Sequence, residues 1–125
     1  MIVVMTPKTI IVFGIPNCDT VKKARAWLIE QGMNYEFHDF KKFGVPQPEL
    51  DRWIDALGCK NLINRKGTTW RALDAATQAA VVDAASAVAV IKANSSVIKR
   101  PVVQWPSGQV TVGFDATAWD DLAKR

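Results

Sequence analysis

The residue best suited to covalent chemistry in this sequence is Cys18, in the stretch VFGIPNCDTVKKARAWL. It follows an apolar run and a Gly-x-Pro turn, and it precedes a segment in which apolar residues recur at helical spacing. At the first turn of a helix, unpaired backbone N–H groups and the positive end of the helix dipole stabilise a thiolate over a thiol. The thiolate is the nucleophilic form of cysteine, so this position favours a reactive Cys18 over an inert, space-filling one.

The other candidates for chemistry are weaker. Cys59, in LGCKN at the end of a predicted helix, is interpreted as a structural thiol, although a role as a second redox thiol stays open. His38, the single histidine, lies on a predicted strand and is interpreted as a packed or edge residue. One histidine and two distant cysteines do not make a metal-binding pattern, so we expect neither a metal site nor a bound cofactor.

The elements that would position Cys18 follow the order β-α-β at the start of the chain. Thr9–Phe13 (TIIVF) is a β-branched apolar run, typical of a central strand buried on both faces. Residues 20–31 have the apolar spacing of a helix, and Gly32 is a suitable C-terminal cap. Residues 34–40 (NYEFHDF) alternate as a second strand. Such units cross over right-handed, so the two strands should be parallel.

The middle of the chain is predicted to be helical. QPELDRWIDALG places its apolar residues on one helical face and ends in glycine. The alanine-rich stretch RALDAATQAAVVDAASAVAVIKANSS indicates two or three short helices, with Asp74 and Asp83 as candidate N-caps and Asn94 as a candidate stop.

The end of the chain returns to strands. PVVQW and QVTVGF flank the turn PSG, which predicts an antiparallel hairpin, and ATAWDDLAKR predicts a closing helix. The order β-α-β, helices, β-β-α is that of a thioredoxin-like α/β fold with an all-helical insertion. We therefore expect a single domain over residues 1–125, with its thioredoxin-like core at about 8–40 and 97–125 and the insertion at about 46–96.

Composition narrows the setting of this domain. The chain has 125 residues, 49% of them hydrophobic, and a net charge of +4, which favours anionic small molecules or acidic protein surfaces. It lacks the dense basic runs of a nucleic-acid-binding arm, and its five tryptophans are scattered rather than arranged as a stacking platform. MIVVM is too short for a secretory signal, and the longest apolar stretch is interrupted by polar residues. We expect a monomeric cytoplasmic protein with free thiols that binds neither nucleic acid nor membranes.

Three segments together carry a resemblance to a known family. They are FGIPNCDTVKKARAWL around the cysteine, INRKGTTWR at Ile63–Arg71, and IKRP at Ile98–Pro101. In this order they resemble the motifs of the arsenate reductase/Spx-like family (the ArsC family), and most of all its YffB-type branch. The resemblance covers essentially the whole chain and implies the same thioredoxin-like fold, a catalytic Cys18, and site arginines at Arg65 and Arg100. It also implies that Pro101 is the cis-proline of the fold, beside the cysteine.

Three departures from the family pattern bear on the activity. The arsenate reductases of the family carry a further arginine beyond the hairpin turn, where this chain reads TVGF. Asp19 directly follows the cysteine, and its carboxylate would repel an arriving arsenate unless it turned away to cap the helix. Val21 stands where the Spx regulators often have a second cysteine. These differences argue against arsenate reduction and against an internal disulfide switch.

A thiol that cannot resolve its own mixed disulfide needs a second thiol from elsewhere, and glutathione is the expected co-substrate. We therefore hypothesise a glutathione-dependent thiol-disulfide oxidoreductase in which Cys18 is the nucleophile and Arg100 and Arg65 hold anionic groups. The residues expected to contact glutathione or another small anionic thiol or disulfide are Asn17, Lys22, Lys99 and Pro101. The alternative is a non-catalytic adaptor that binds a protein partner, as the Spx regulators bind RNA polymerase. An ordinary Cys18 thiol that forms no mixed disulfide with glutathione would favour the adaptor.

Overall fold

The computed structural model describes residues 9–124, and within this range it contains a four-stranded sheet in the order β2-β1-β3-β4. The MIVVM segment, with the prediction that it is not a secretory signal, lies outside the described residues. The strands are β1 (Ile10–Gly14), β2 (Tyr35–Asp39), β3 (Val102–Gln104) and β4 (Val110–Val112). β1 is parallel to β2 and antiparallel to β3, which pairs with β4 as the predicted hairpin. The predicted thioredoxin-like fold, with β1 as a central strand, is confirmed.

Eight helices accompany the sheet in the described residues. They are α1 (Asp19–Glu30), α2 (Phe40–Phe43), α3 (Gln47–Leu57), α4 (Cys59–Leu62), α5 (Thr68–Ala72), α6 (Ala75–Ala79), α7 (Ala84–Ala93) and α8 (Ala116–Ala123), with a 3-10 turn at Ser95–Val97. Helices α3 to α7 lie between β2 and β3 in the chain, where the insertion was predicted. None of the helices described is long and apolar enough to cross a membrane.

One face of the sheet packs against α1 and α8. The cluster of buried side chains there comprises Ile10, Val12, Ala24, Leu28, Val103, Trp105, Trp119 and Leu122. The rings of Trp105 and Trp119 meet edge to face, with their centroids 5.1 Å apart. Helix α1 ends as predicted: Gly32 has a φ of 68°, and the N–H of Met33 donates to the carbonyl of Leu28, so the last turn is closed by glycine in the left-handed region.

The other face packs against the helical insertion. Phe13 of β1 meets Trp53 of α3 edge to face, with ring centroids 4.7 Å apart, and Trp53 is fully buried. The neighbouring Val12 belongs to the opposite cluster, so β1 contributes to both cores. This two-sided burial explains why the strand reads as a continuous apolar run without a polar face.

The predicted caps of the insertion helices are present. The Asp74 carboxylate accepts the N–H of Thr77 at 2.6 Å, and the Asp83 carboxylate accepts the N–H of Ser86 at 2.9 Å. These hydrogen bonds hold the pKa of both carboxyl groups below the ordinary value, because they stabilise the charged form. The alanine-rich stretch therefore contains the end of α5 and the whole of α6 and α7, in agreement with the prediction of two or three short helices.

The second strand is shorter than predicted. It ends at Asp39, whose carboxylate accepts the N–H of Lys41 at 2.8 Å and caps α2. Phe40, predicted as the last strand residue, is instead the first residue of this short helix and is buried in the core on the insertion side. An aspartate that hydrogen-bonds the backbone two residues ahead competes with strand pairing and so turns the chain here.

Candidate active site

Cys18 is the N-cap residue of α1. Its backbone is extended, with φ −145° and ψ 123°, and its carbonyl accepts the N–H of Lys22 at 2.9 Å. The thiol is half-buried and makes no capping hydrogen bond with the first turn. The N–H groups that follow it lack acceptors within the helix, so this end of α1 attracts negative charge.

The parallel pairing of β1 and β2 brings two loops to the same edge of the sheet. Gly14, before the cysteine loop, lies opposite Asp39 in the register, and the carboxyl ends of parallel strands open on a common crevice. A cleft of about 560 Å³ is found at this edge. Its lining residues are Ile15, Pro16, Asn17, Asp39, Lys41, Lys42, Thr69, Ser96 and Arg100.

Arg100 is the half-buried cation of this cleft. Its Nη1 donates to the carbonyl of Ser96 at 3.0 Å, while its Nε is buried without a hydrogen-bond partner in the described part of the chain. The Nζ of Lys41 donates to the Ser96 hydroxyl at 3.4 Å, so α2 and the 3-10 turn are connected across the cleft. A buried donor left unpaired costs roughly 1–3 kcal/mol, so the described residues leave one hydrogen-bond donor of Arg100 unsatisfied.

Pro101 follows Arg100 through a cis peptide bond, as the family resemblance implied. Pro101 is buried, and its carbonyl accepts the N–H of Gly113 at 2.9 Å. The next residue, Val102, pairs with Phe13 of β1. The Arg100–Pro101 turn therefore leads directly into β3, the strand next to β1. Gly113 belongs to the TVGF segment, which lacks the further arginine of the arsenate reductases. Its hydrogen bond therefore connects this segment to the backbone of the proposed site.

Arg65 and Lys99 lie on two paired segments next to the cleft without lining it. Ile63 and Ile98 form an isolated antiparallel bridge, and the N–H of Lys99 donates to the carbonyl of Leu62 at 2.8 Å. The Arg65 guanidinium is exposed and stacks over the ring of Trp70, with 5.1 Å between its central carbon and the ring centroid. The bridge holds the INRKG segment beside the IKRP segment. The guanidinium of Arg65 forms a cation–π contact with Trp70.

Lys22 faces a different surface. It borders a separate depression of about 300 Å³ together with Arg25, Ala26, Ile29 and Tyr35. The structure thus brings Asn17 and Arg100 together in the cleft, while Cys18, the residue after Asn17, is not among the lining residues and Lys22 lies elsewhere. The roles predicted for the site residues all stay predictions: Cys18, Arg100 and Arg65 in catalysis, and Asn17, Lys22, Lys99 and Pro101 in ligand binding.

Three charged residues of the cleft were missed by sequence reasoning: Asp39, Lys41 and Lys42. A signal for them was present in DFKKFG, because charged residues that follow a strand parallel to the cysteine-bearing strand reach the same edge of the sheet. Recognising it required the strand to end at Asp39 rather than at Phe40.

The remaining reactive side chains lie in structural positions. Cys59 is half-buried at the start of α4 and packs against the core on the insertion side, and both cysteines are free thiols. The Nε2 of His38 lies 2.9 Å from the carbonyl oxygen of Gly44, and its ring centroid is 5.2 Å from that of Phe13, as expected of a packed residue. Residues 9–124 contain no group of three or more histidine, cysteine or acidic side chains that could hold a metal ion.

The strand order, the cis-proline and the cysteine at the start of α1 define a thioredoxin-like protein with a helical insertion. The chain belongs to the ArsC family, whose model matches residues 13–122. This confirms the relationship inferred from the three motifs.

Individual relatives agree with that assignment. The structure is similar to that of a YffB protein at 42% identity, with a TM-score of 0.86 over 92% of this chain and 99% of the other. It is also similar to an arsenate reductase (ArsC) related protein from Brucella melitensis, at 40% identity and a TM-score of 0.72 over 97% of this chain and 99% of the other. An uncharacterized protein of Haemophilus influenzae is 36% identical over 85% of this chain and 91% of its own length.

Proposed function

We propose that this protein is a glutathione-dependent thiol-disulfide oxidoreductase whose nucleophile is Cys18. The observation that carries the proposal is the position of Cys18, half-buried at the N-terminus of α1 and directly after Asn17, which lines a cleft together with Arg100. Membership of the ArsC family, whose relatives include proteins described as related to arsenate reductase, supports thiol-based reduction as the general chemistry.

In the first step, the Cys18 thiolate attacks one sulfur of a disulfide R–S–S–R′. A bond forms between Cys18 Sγ and the sulfur of R, and the disulfide bond breaks so that R′ leaves as a thiolate. The start of α1 supports the attacking thiolate, and a cation at Arg100 favours both that thiolate and an anionic substrate. When R is a glutathionyl group, its carboxylates match the guanidinium of Arg100 and the ammonium groups of Lys41 and Lys42.

In the second step, the thiolate of glutathione attacks the sulfur of R in the mixed disulfide with Cys18. The new disulfide leaves, and Cys18 returns to the thiolate, so the oxidant is the substrate disulfide and the reductant is glutathione. An external thiol is required because Val21 occupies the position from which a second cysteine on α1 could resolve the intermediate. Cys59 packs against the insertion core and is assigned no part in this step.

Arsenate is a poorer fit than a glutathione disulfide. The TVGF segment lacks the further arginine of the family's arsenate enzymes, and the N–H of its Gly113 is already donated to the carbonyl of Pro101, so neither is available to an oxyanion. Asp19 is exposed at the first position of α1 and adds negative charge next to Cys18. A small oxyanion would meet that charge directly, whereas a larger disulfide would spread its anionic groups into the cleft.

The test is to incubate the protein with a glutathione mixed disulfide of a small thiol and to identify the species on Cys18 by peptide mass spectrometry. We expect one glutathionyl group on Cys18, removed by added glutathione, and glutathione-dependent turnover when oxidised glutathione is recycled by glutathione reductase. Arsenate with glutathione and glutaredoxin should give little or no turnover. If Cys18 stays unmodified and no disulfide is reduced, the oxidoreductase proposal is wrong and a protein-binding role like that of the Spx regulators is favoured.

A further inference from the structure

Asp39 is the buried carboxylate of the cleft, and the chemistry described above does not use it. It is 8% exposed and is the one buried polar or charged residue in the described range. The ion pairs formed by residues 9–124, Arg52 with Glu49 and Lys124 with Asp120, do not include it. A carboxylate removed from water without a cationic partner is costly, so a cation supplied by a ligand would stabilise Asp39.

The cations that line the cleft do not neutralise the Asp39 carboxylate. Lys41, Lys42 and Arg100 line the same cleft as Asp39, yet none of them forms an ion pair with it. The polar contacts of Lys41 and Arg100 go to Ser96 instead. The cleft therefore presents two kinds of charged group without an ion-pair partner among residues 9–124: the Asp39 carboxylate, and the cations Lys41, Lys42 and Arg100.

A zwitterion satisfies both kinds of group at once. In the γ-glutamyl part of glutathione, an ammonium and a carboxylate are attached to the same carbon atom. We propose that Asp39 is a specificity-determining residue that binds the α-ammonium group of the γ-glutamyl moiety, while the cations of the cleft bind the adjacent α-carboxylate. This inference rests on the proposed use of glutathione and extends it, because it distinguishes glutathione from thiols that carry carboxylates alone.

The capping role of Asp39 does not account for its charge. Capping of α2 uses one carboxylate oxygen, Oδ1, which accepts the N–H of Lys41. Asparagine supplies the same acceptor at an N-cap and has nearly the same volume, so Asp39→Asn keeps the cap and removes only the charge. A recognition role and a structural role are thereby separable.

The test compares two ligands and two proteins. The ligands are S-methylglutathione and its analogue without the α-amino group, which keeps both carboxylates. Their dissociation constants are measured by calorimetry with Cys18→Ser and with Cys18→Ser/Asp39→Asn, so that no turnover is needed. We expect the first protein to bind S-methylglutathione at least about tenfold more tightly than the analogue, since a charge-assisted hydrogen bond is lost with the amino group. The second protein should show a ratio near one.

A matched control is Asp74→Asn, which changes another N-cap aspartate outside the cleft and should leave the tenfold ratio intact. Equal binding of the two ligands by Cys18→Ser, a ratio unchanged by Asp39→Asn, or no binding of either ligand would each overturn the inference. Discrimination in binding together with an absence of turnover in the wild type would instead overturn the proposed function and leave the assignment of Asp39 standing.

Discussion

Two hollows, one beyond the carboxyl end of β1 and one along the strand, differ in how their less exposed charged groups are paired within the protein. The cleft beside Cys18 contains the buried Nε of Arg100 and the buried carboxylate of Asp39, neither of which pairs with an opposite charge among residues 9–124. A second groove, of about 390 Å³, is lined by Ile11, Phe13, Glu36, Phe37, His38, Phe43, Pro46, Glu49 and Gln104. There Glu49 accepts a hydrogen bond from Gln104 and forms an ion pair with Arg52 at 3.5 Å.

The comparison shows that shape alone does not identify the site. The groove along β1 is the more apolar hollow in its side chains, which is the usual character of a small-molecule pocket. Its Glu49 and Gln104, however, are hydrogen-bonded to each other and connect α3 to β3. Polar groups matched inside a protein stabilise its fold, whereas unmatched ones in an open cleft have capacity left for a ligand. This difference favours the cleft as the proposed site of chemistry and a structural role for the groove.

The largest effect should come from Cys18→Ser, which removes the nucleophile of the cleft. Serine is nearly isosteric and caps helices well, so the fold should be retained while thiol exchange falls to the background rate. The measurement is glutathione-dependent disulfide reduction, with circular dichroism to confirm folding. Cys59→Ser is the matched control and should keep most of the activity; an equal loss in both variants would make Cys59 the resolving thiol.

The next effect should come from Arg100, compared with Arg52, which pairs with Glu49 of the groove. In a Cys59→Ser background, Arg100→Ala should slow alkylation of Cys18 by iodoacetamide near neutral pH by about tenfold, because a cation that favours the thiolate is lost. Arg100→Lys should preserve most of the rate but weaken binding of S-methylglutathione, since lysine keeps the charge without the planar fork. Arg52→Ala should change neither quantity. Identical alkylation rates in all four proteins would mean that Arg100 does not face the thiol.

Much of the arrangement around Cys18 could be predicted because local patterns specify it. The β-branched run before Gly14, the helical spacing after Cys18 and the turn residues of the hairpin each act within a few residues of sequence. The end of β2 could not be placed in the same way. Helix α2 has four residues, too few to show a helical period, and the importance of Asp39 comes from its pairing with Gly14 across the sheet.

The surface on which Lys22 lies also could not be predicted from the local sequence. Lys22 lies close to Cys18 in sequence, which suggested a shared site, yet it borders the depression formed with Arg25, Ala26 and Ile29. These residues are three, four and seven positions from Lys22 and so share one stripe of α1. Which stripe faces the cleft is decided by packing of the whole helix on the sheet, and the cleft-lining cations come instead from segments distant in sequence.

A smaller effect, on stability rather than activity, is expected from Glu49→Ala in the groove. The substitution leaves the half-buried Nε2 of Gln104 without its acceptor and removes the partner of Arg52. Loss of one such hydrogen bond should lower the free energy of unfolding by about 1 kcal/mol, as measured in urea, with disulfide reduction unchanged. A fall in activity at unchanged stability would show that the groove takes part in substrate binding, and the contrast between the two hollows would not hold.

The smallest effect concerns Asp83, an exposed carboxylate whose hydrogen bonds are all local, in contrast to the buried Asp39. The N–H of Ser86 lowers the pKa of Asp83 in the folded protein below its ordinary value of 3.8. The unfolded chain therefore takes up a proton before the folded chain does, and the stabilisation is present above pH 3.8 and is lost as the pH falls through the lower folded pKa. Asp83→Asn keeps an acceptor at the cap but does not titrate, so its urea midpoint should lie slightly below that of the wild type at pH 7 and converge with it in acid. A difference that is independent of pH would show that the cap acts through its oxygen alone and that its charge contributes nothing.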